Sequence, residues 1–210
     1  MAQVAVCIPA MRPQNIERVV TSIADSTTDY TVIILATGDV YDAACELNGP
    51  ITVIDDGGGT YAVRVNRAFR ETSEPYLFLG ADDVSFRPGW FEAALRVMET
   101  VNGVVGINDL HNMAGVHFLV SRDYVNTLGG CIGEPGVVLH EGYEHTYCDD
   151  ELRHTAQFHQ RWGFATDAVV EHLHPGAGKA PNDPIYDIGH ASMSQGLSVF
   201  TSRSHLWSAS

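Results

Sequence analysis

Residues 76–90 read YLFLGADDVSFRPGW. The first four, Tyr76, Leu77, Phe78 and Leu79, form an apolar and aromatic run whose length and composition predict a strand buried on both faces. Asp82 and Asp83 follow just past its C-terminal end, where open α/β sheets place their ligands. Pro88-Gly89 is a turn signal, and Phe91, Leu95 and Met98 recur behind it at helical spacing. Two carboxylates displayed on a strand end and backed by a helix suit a hard divalent cation, because Mg²⁺ and Mn²⁺ take oxygen ligands at fixed positions. Taken alone, the same pair is equally well a solvated acidic loop between strand and helix.

Upstream, the pattern repeats. Val4 to Ile8 is an apolar strand stopped by Pro9, and Pro13 suits the start of a helix with Ile16, Val19, Val20 and Ile23 on one face. A β-branched run from Tyr30 to Leu35 ends in Ala36-Thr37-Gly38-Asp39. Another, from Ile51 to Ile54, ends in Asp55-Asp56 and three glycines. Short buried strands that end in Gly- or Asp-bearing turns predict an α/β fold with a mostly parallel central sheet whose working edge lies at one end. The triplet Gly57-Gly58-Gly59 matches neither the dinucleotide fingerprint nor GxxxxGKS/T and reads as a turn. The helix expected over 60–69 turns Tyr61, Val65, Ala68 and Phe69 inward. That leaves Arg64, Asn66, Arg67 and Arg70 on other faces, where Arg64 and Asn66 either reach a nucleotide or belong to a solvated basic face.

Downstream of the helix over 90–101, strands are expected at 103–107 and 116–120, with His117 inside the second and a polar interval at His111, Asn112 and Met113 between them. Ser121 and Asp123 are a helix-start signal. The glycine-rich stretch GGCIGEPGVVLHEG, 129–142, has no periodicity and reads as a loop of the kind that forms lids or acceptor surfaces. Asp149 and Asp150 precede a helix with Leu152, Ala156, His159 and Trp162 inward; at a helix N-terminus their charges are stabilised, and capping alone is the competing reading. A strand at 168–171 leads to His172-Leu173-His174-Pro175, where alternation puts both imidazoles on one face, within reach of a metal or simply on the surface. From 176 to 210 the composition shifts to Gly, Pro, Ser, Asn and Asp. This reads as an extension without its own core, with a short helix near 192–200, that covers the active face or mediates self-association.

With 210 residues, 45% of them apolar, the chain supports one domain (1–175) plus that extension (176–210). Its 26 acidic against 12 basic residues give a formal charge of −14. That surface repels phosphate backbones, which argues against naked nucleic acid as a partner, and an anionic substrate needs a bound cation to reverse the field. Cys7, Cys45, Cys131 and Cys148 are widely spaced, as reduced thiols are. With no secretory leader pattern and no bilayer-length apolar run, the expectation is a cytoplasmic protein without a membrane partner.

In combination, four motifs in order give residues 4–175 a resemblance to the nucleotide-diphospho-sugar transferases of the GT-A fold, most closely the family 2-like glycosyltransferases, including small phage and bacterial ones. They are Ile8-Pro9 with Arg12, Gly80-Ala81-Asp82-Asp83 before Pro88-Gly89-Trp90, Cys148-Asp149-Asp150-Glu151-Leu152, and Glu171-His172-Leu173-His174-Pro175. The resemblance implies a Rossmann-like GT-A domain in which Asp83 matches the last residue of the metal-holding Asp-x-Asp motif. Ala81 stands where the first Asp, which usually addresses the nucleotide or its ribose, belongs; either Asp82 takes over that contact or the metal is held more loosely. It further implies Mn²⁺ or Mg²⁺ as cofactor, with His172 and then His174 as additional ligands. Asp149 is the implied catalytic base, with Cys148 in place of the usual Glu. Pro9, Arg12, Asp39, Asp56, Arg64 and Asn66 are implied around the donor. The implied reaction moves a sugar from a UDP- or GDP-sugar to an acceptor hydroxyl on a glycan, a small molecule or a modified base, with inversion if Asp149 is the base. Two rivals are a nucleotidyltransferase or other metal-dependent α/β enzyme, and a non-catalytic nucleotide-sugar-binding protein.

Overall fold

The computed structural model describes residues 2–111 and 115–207. Asn112 and Met113 of the expected polar interval, and the last three residues of the C-terminal extension, lie outside the described residues. In chain order the first half is β1 Val4–Pro9, α1 Pro13–Ser26, β2 Tyr30–Ala36, α2 Gly38–Cys45, β3 Ile51–Asp55, α3 Tyr61–Glu71, β4 Tyr76–Leu79, β5 Val84–Phe86 and α4 Trp90–Val101. The second is β6 Val104–Asn108, β7 Phe118–Ser121, α5 Arg122–Leu128, α6 Cys148–Phe158, β8 Trp162–His172, α7 Pro184–Ala191 and α8 Met193–Arg203. No helix of the described residues is long and apolar enough to cross a membrane.

The strands form an eight-stranded sheet in the order β3-β2-β1-β4-β7-β6-β8-β5. β3, β2, β1 and β4 run parallel, β7 is antiparallel to both β4 and β6, β8 is parallel to β6, and β5 is antiparallel to β8. Every residue of β1 is buried, because helices cover both faces of the sheet. Val4, Val6 and Ile8 pack with Ile16, Val19 and Ile23 of α1 and with Trp90 and Phe91 of α4. Ala5 and Cys7 point the other way, into a second cluster with Val65 and Phe69 of α3, Tyr124 of α5 and Leu152 of α6. Alternation along one strand thus feeds two cores, which is what a continuous apolar run encodes.

Behind the acidic strand end sits a rigid aromatic wedge. Trp90 is wholly buried, its ring meets Phe78 at 4.9 Å and Phe86 at 5.1 Å, edge to face, and its indole N–H donates to Thr27 Oγ1 at 2.6 Å. Gly89 caps α4 in the left-handed region, at φ 81°, which the Pro88-Gly89 turn requires. Gly80 is needed for a different reason: a Cβ there would stand 2.9 Å from the Cys7 carbonyl oxygen and from Ile8 Cδ1.

Several elements depart from the sequence reading. Helices α2 and α7 and strand β5 are additional to the expected elements, β5 because three residues carry no periodicity. β7 begins at Phe118, so His117 lies just before the strand rather than inside it. Trp162 opens β8 instead of packing inward from α6, and β8 starts six residues before the expected 168. Its alternation is hidden by a register shift, with Ala165 opposite Ile107 but Val169 opposite Asn108. Beyond residue 175, α7 and α8 bury Gly189, Ser192 and Gly196 and no large apolar side chain.

Candidate active site

The turn after β4 puts two buried carboxylates side by side with different tasks. One oxygen of Asp82 accepts the main-chain N–H groups of Met11, at 2.6 Å, and Arg12, at 2.8 Å, while the other accepts the Arg12 guanidinium at 2.7 Å. The Asp82 side chain is thereby committed to tying the β1–α1 loop to the end of β4. Burial pushes its carboxyl above the usual carboxylate range against the pull of the Met11 amide and Arg12. Asp83 has one oxygen occupied: Oδ2 accepts the Tyr186 hydroxyl at 2.9 Å and lies 3.5 Å from His172 Nε2 and 3.8 Å from Arg12 Nη1. Its Oδ1 is buried without a hydrogen-bond partner. Burial opposes charge on Asp83 too, yet the hydrogen bond and charge of His172, with His117 and Tyr186, outweigh it and hold the carboxyl well below the usual range.

Strand β8 brings the histidines here. The β5–β8 ladder sets Val84 opposite His172, and the Leu173 amide donates to the Asp83 carbonyl at 2.8 Å. The His172 ring stands 5.0 Å from His174 and 5.0 Å from His117. His117 is buried, with Nδ1 3.1 Å from the Leu79 carbonyl. A carbonyl only accepts, so Nδ1 carries the proton and Nε2, which has no hydrogen-bond partner, keeps a lone pair. Burial, then the charge of His172, push the His117 ring down to about 4. His174 caps the short turn after it by accepting the Gly176 amide at 3.0 Å.

These residues fit a hard cation as a partial shell. An unpartnered carboxylate oxygen on Asp83 and an imidazole nitrogen on His172 supply O and N donors of the right kind. Among the described residues no three His, Cys, Asp or Glu side chains converge into a complete protein shell. The remaining positions of a Mn²⁺ or Mg²⁺ ion are those that such ions fill with phosphate oxygens and water.

Arg64 and Asn66 lie elsewhere than the helical spacing of α3 suggests. Both are buried, not on outer faces of α3. Arg64 is ion-paired to Asp56 and donates to the Ala10 carbonyl at 3.3 Å, so two of the residues expected around a nucleotide neutralise each other at the sheet edge. Asn66 accepts from the Val138 and Leu139 amides at 2.9 and 3.1 Å and donates to the Leu139 carbonyl and Glu141 at 2.7 and 3.0 Å. All four of its hydrogen-bonding positions therefore secure the loop before α6. Pro9 closes β1 and Asp39 lies exposed in the first turn of α2, both at the C-terminal ends of the parallel strands.

Helix α6 starts at Cys148, so Asp149 and Asp150 lie in its first turn rather than ahead of it. Asp150 pairs with Arg153 at 2.5 Å. Asp149 is raised to about 6, first by burial and then by the Asp150 charge beside it. Tyr61 links this helix start to the strand end: its hydroxyl donates to the Gly80 carbonyl at 3.2 Å, and the charges of both Asp149 and Asp83 act on it. The orientation of α6 is fixed by Glu151, which accepts the Tyr143 hydroxyl at 2.7 Å and Arg203 at 2.8 to 3.1 Å. Glu151 stands inside the acidic helix-start motif and Asp183-Pro184 is a helix-start signal, but the sequence does not mark their roles or that of Tyr186, because Arg203, Arg12 and Asp83 lie far from them along the chain.

No protein-family profile matches the chain, and no curated protein matches it. Solved structures do. The mannosyltransferase PcManGT from Pyrobaculum calidifontis, determined with GDP-Man and Mn²⁺, superposes with a TM-score of 0.62 at 16% identity, over 84% of this chain and 58% of that one. TarS 1-349 from S. aureus gives 0.57 at 11% identity, over 81% of this chain and 59% of that one. The chain thus spans under two thirds of the length of either structure. At this identity the likeness shows the fold, which is that of the GT-A-type glycosyltransferases.

Proposed function

We propose that the chain is a divalent-metal-dependent glycosyltransferase that moves a sugar from a nucleoside-diphosphate donor to an acceptor hydroxyl. The observation that carries this reading is the buried, unpartnered Oδ1 of Asp83 with His172 beside its other oxygen, at the strand end of a GT-A-type fold. Asp83 and His172, with His174 next to them, would hold Mn²⁺ or Mg²⁺, which as a Lewis acid neutralises the charge that develops on the leaving diphosphate. Arg12, anchored by Asp82, presents a second positive charge to that diphosphate. Pro9, Asp39 and the Asp56–Arg64 pair line the strand ends where the base and ribose lie. Asp149 accepts the proton of the acceptor hydroxyl as it attacks. A carboxyl raised to about 6 is a stronger base than an ordinary aspartate and is still mostly ionised at neutral pH. Attack from the face opposite the diphosphate inverts the anomeric carbon.

PcManGT was solved with GDP-Man and Mn²⁺, which supports GDP- and UDP-sugars as the first donors to try. The acidic surface favours a glycan, a small molecule or a single modified base over naked nucleic acid as acceptor. The free thiols of Cys7, Cys45, Cys131 and Cys148 fit a reducing cytoplasm. The test is incubation with Mn²⁺ and a panel of UDP- and GDP-sugars, following release of nucleoside diphosphate. Diphosphate release that stops with a chelator supports the reading. Pyrophosphate release would identify a nucleotidyltransferase instead, and absence of any Mn²⁺-dependent nucleotide binding by calorimetry would sink both.

A further inference from the structure

Helix α7 rests on the site it would have to leave open. The Tyr186 hydroxyl donates to Asp83 Oδ2 at 2.9 Å and to the Leu173 carbonyl at 3.4 Å. Asp183 takes Arg12 through Nε at 2.6 Å and Nη2 at 3.3 Å, and the guanidinium lies 4.2 Å over the Tyr186 ring. These are the carboxylate and the cation that a metal–diphosphate group needs. Tyr186 occupies the Asp83 oxygen that faces His172, so a metal held by Oδ2 as well as Oδ1 and by His172 must displace the hydroxyl, and a diphosphate must replace Asp183 as the anionic partner of Arg12.

The next helix is held differently. Arg203 of α8 is fixed on buried Glu151, Trp207 donates to Thr155 Oγ1 at 3.0 Å, and the Phe200 ring stacks with Trp207 at 5.2 Å. None of these partners belongs to the donor or metal site. Helix α7 buries only Gly189 and leaves Ile188 exposed, so what retains it is chiefly its polar grip on Arg12 and Asp83. One end of the C-terminal segment is anchored to the body, and the other is held mainly on site residues, with buried Gly189 against His145 as a contact outside them.

We infer that α7 is a displaceable latch: Asp183 and Tyr186 occupy Arg12 and Asp83 in the resting protein, and α7 lifts away when a metal-bound nucleotide claims them, while α8 stays in place. This rests on the glycosyl-transfer reading of the same site. Because a ligand that binds only the unlatched state is weakened by the rarity of that state, loosening the latch tightens binding.

The test combines calorimetry and hydrogen exchange on the full chain, using Mn²⁺ with GDP and, in parallel, Mn²⁺ with UDP. The double variant Asp183→Asn, Tyr186→Phe removes the ion pair and the hydroxyl. It keeps an Asn able to cap α7 and a ring beneath Arg12, so it is expected to fold. It should bind the metal–nucleotide pair about tenfold more tightly than the unaltered chain. In the unaltered protein, the ligand should speed amide exchange across 184–191 and leave 193–203 protected. Binding by the double variant alone is the strongest form of the same result. Equal affinities, with exchange in α7 unchanged or slowed by ligand, overturn the latch and leave glycosyl transfer standing. Absence of binding in every protein overturns glycosyl transfer, and the latch with it.

Discussion

The carboxylate of Asp82 holds Arg12 twice, through its amide at 2.8 Å and its guanidinium at 2.7 Å. Backbone and side chain of one loop residue are thereby fixed on one buried group, and the β1–α1 loop has no freedom to drift from the end of β4. Asp82→Ala would strand the Met11 and Arg12 amides and leave the Arg12 guanidinium to Asp183 and Asp83 alone. Two amides left unsatisfied are expected to cost about 2–4 kcal/mol, read from the midpoint of urea unfolding. Asp82→Asn retains one acceptor and should cost less than half as much.

Asp83 is expected to serve ligand and fold together. Its Oδ1 is unpartnered, but Oδ2 accepts the Tyr186 hydroxyl and faces His172, and these partners outweigh burial in favouring the charge, so Asp83→Asn should cost about 1–3 kcal/mol of stability. The same variant should lose at least about tenfold in Mn²⁺-dependent nucleotide affinity, since an amide oxygen is a weaker ligand than a carboxylate. A large loss of stability with unchanged affinity would make Asp83 a structural group.

Asp149 sets the pH dependence. A base works deprotonated, and this carboxyl is raised to about 6, so turnover should be low at pH 5, rise through pH 6 and level off above pH 7 on this limb. Asp149→Asn should lower kcat by about 10²- to 10⁴-fold and leave donor affinity within twofold to threefold, roughly the scatter of an uninvolved group. If the acid limb stays at the same pH in Asp149→Asn, the titrating base is a different group.

Glu151 is where the base helix is tied to the C-terminal segment. Glu151→Ala leaves the Tyr143 hydroxyl unpaired and Arg203 with Glu134 alone, at 3.2 Å, beside a buried space, at an expected cost of about 2–3 kcal/mol. Limited proteolysis should then cut within 193–207 before the body unfolds. A melt that remains a single transition with α8 protected would mean that the aromatic contacts of Phe200 and Trp207 hold α8 without Glu151.

The strands of the first half were legible because each is buried on both faces and bounded by Pro, Gly or Asp. The strand-end carboxylates and the acidic start of α6 were legible for the same reason, as polar residues where apolar runs stop. β5 was not, since three residues carry no period, and the first half of β8 was not, since exposed Thr166 and Asp167 interrupt its alternation at the register shift. The polar clamps were the least legible. Asn66 on the 138–141 loop, Glu151 on Arg203 and Tyr186 on Asp83 are each pairings of residues remote in sequence, and nothing local distinguishes such a residue from a solvated one until the fold brings its partner.

The antiparallel pairing of β5 with β8 has a consequence for how the protein is made. Val84, Ser85 and Phe86 are a strand only because residues 170–172 lie beside them, and the Asp83 carbonyl is bonded by the amide of Leu173. During synthesis, β1 to β4 can pair as soon as they emerge, but the turn bearing Asp83 gains its shape only after the last strand has left the ribosome. Until then β6 presents an open edge, the kind of edge that captures a neighbouring chain. Long-range pairing of this type slows folding, so a chain truncated before Trp162 is expected to collect in aggregates rather than persist as a smaller soluble unit.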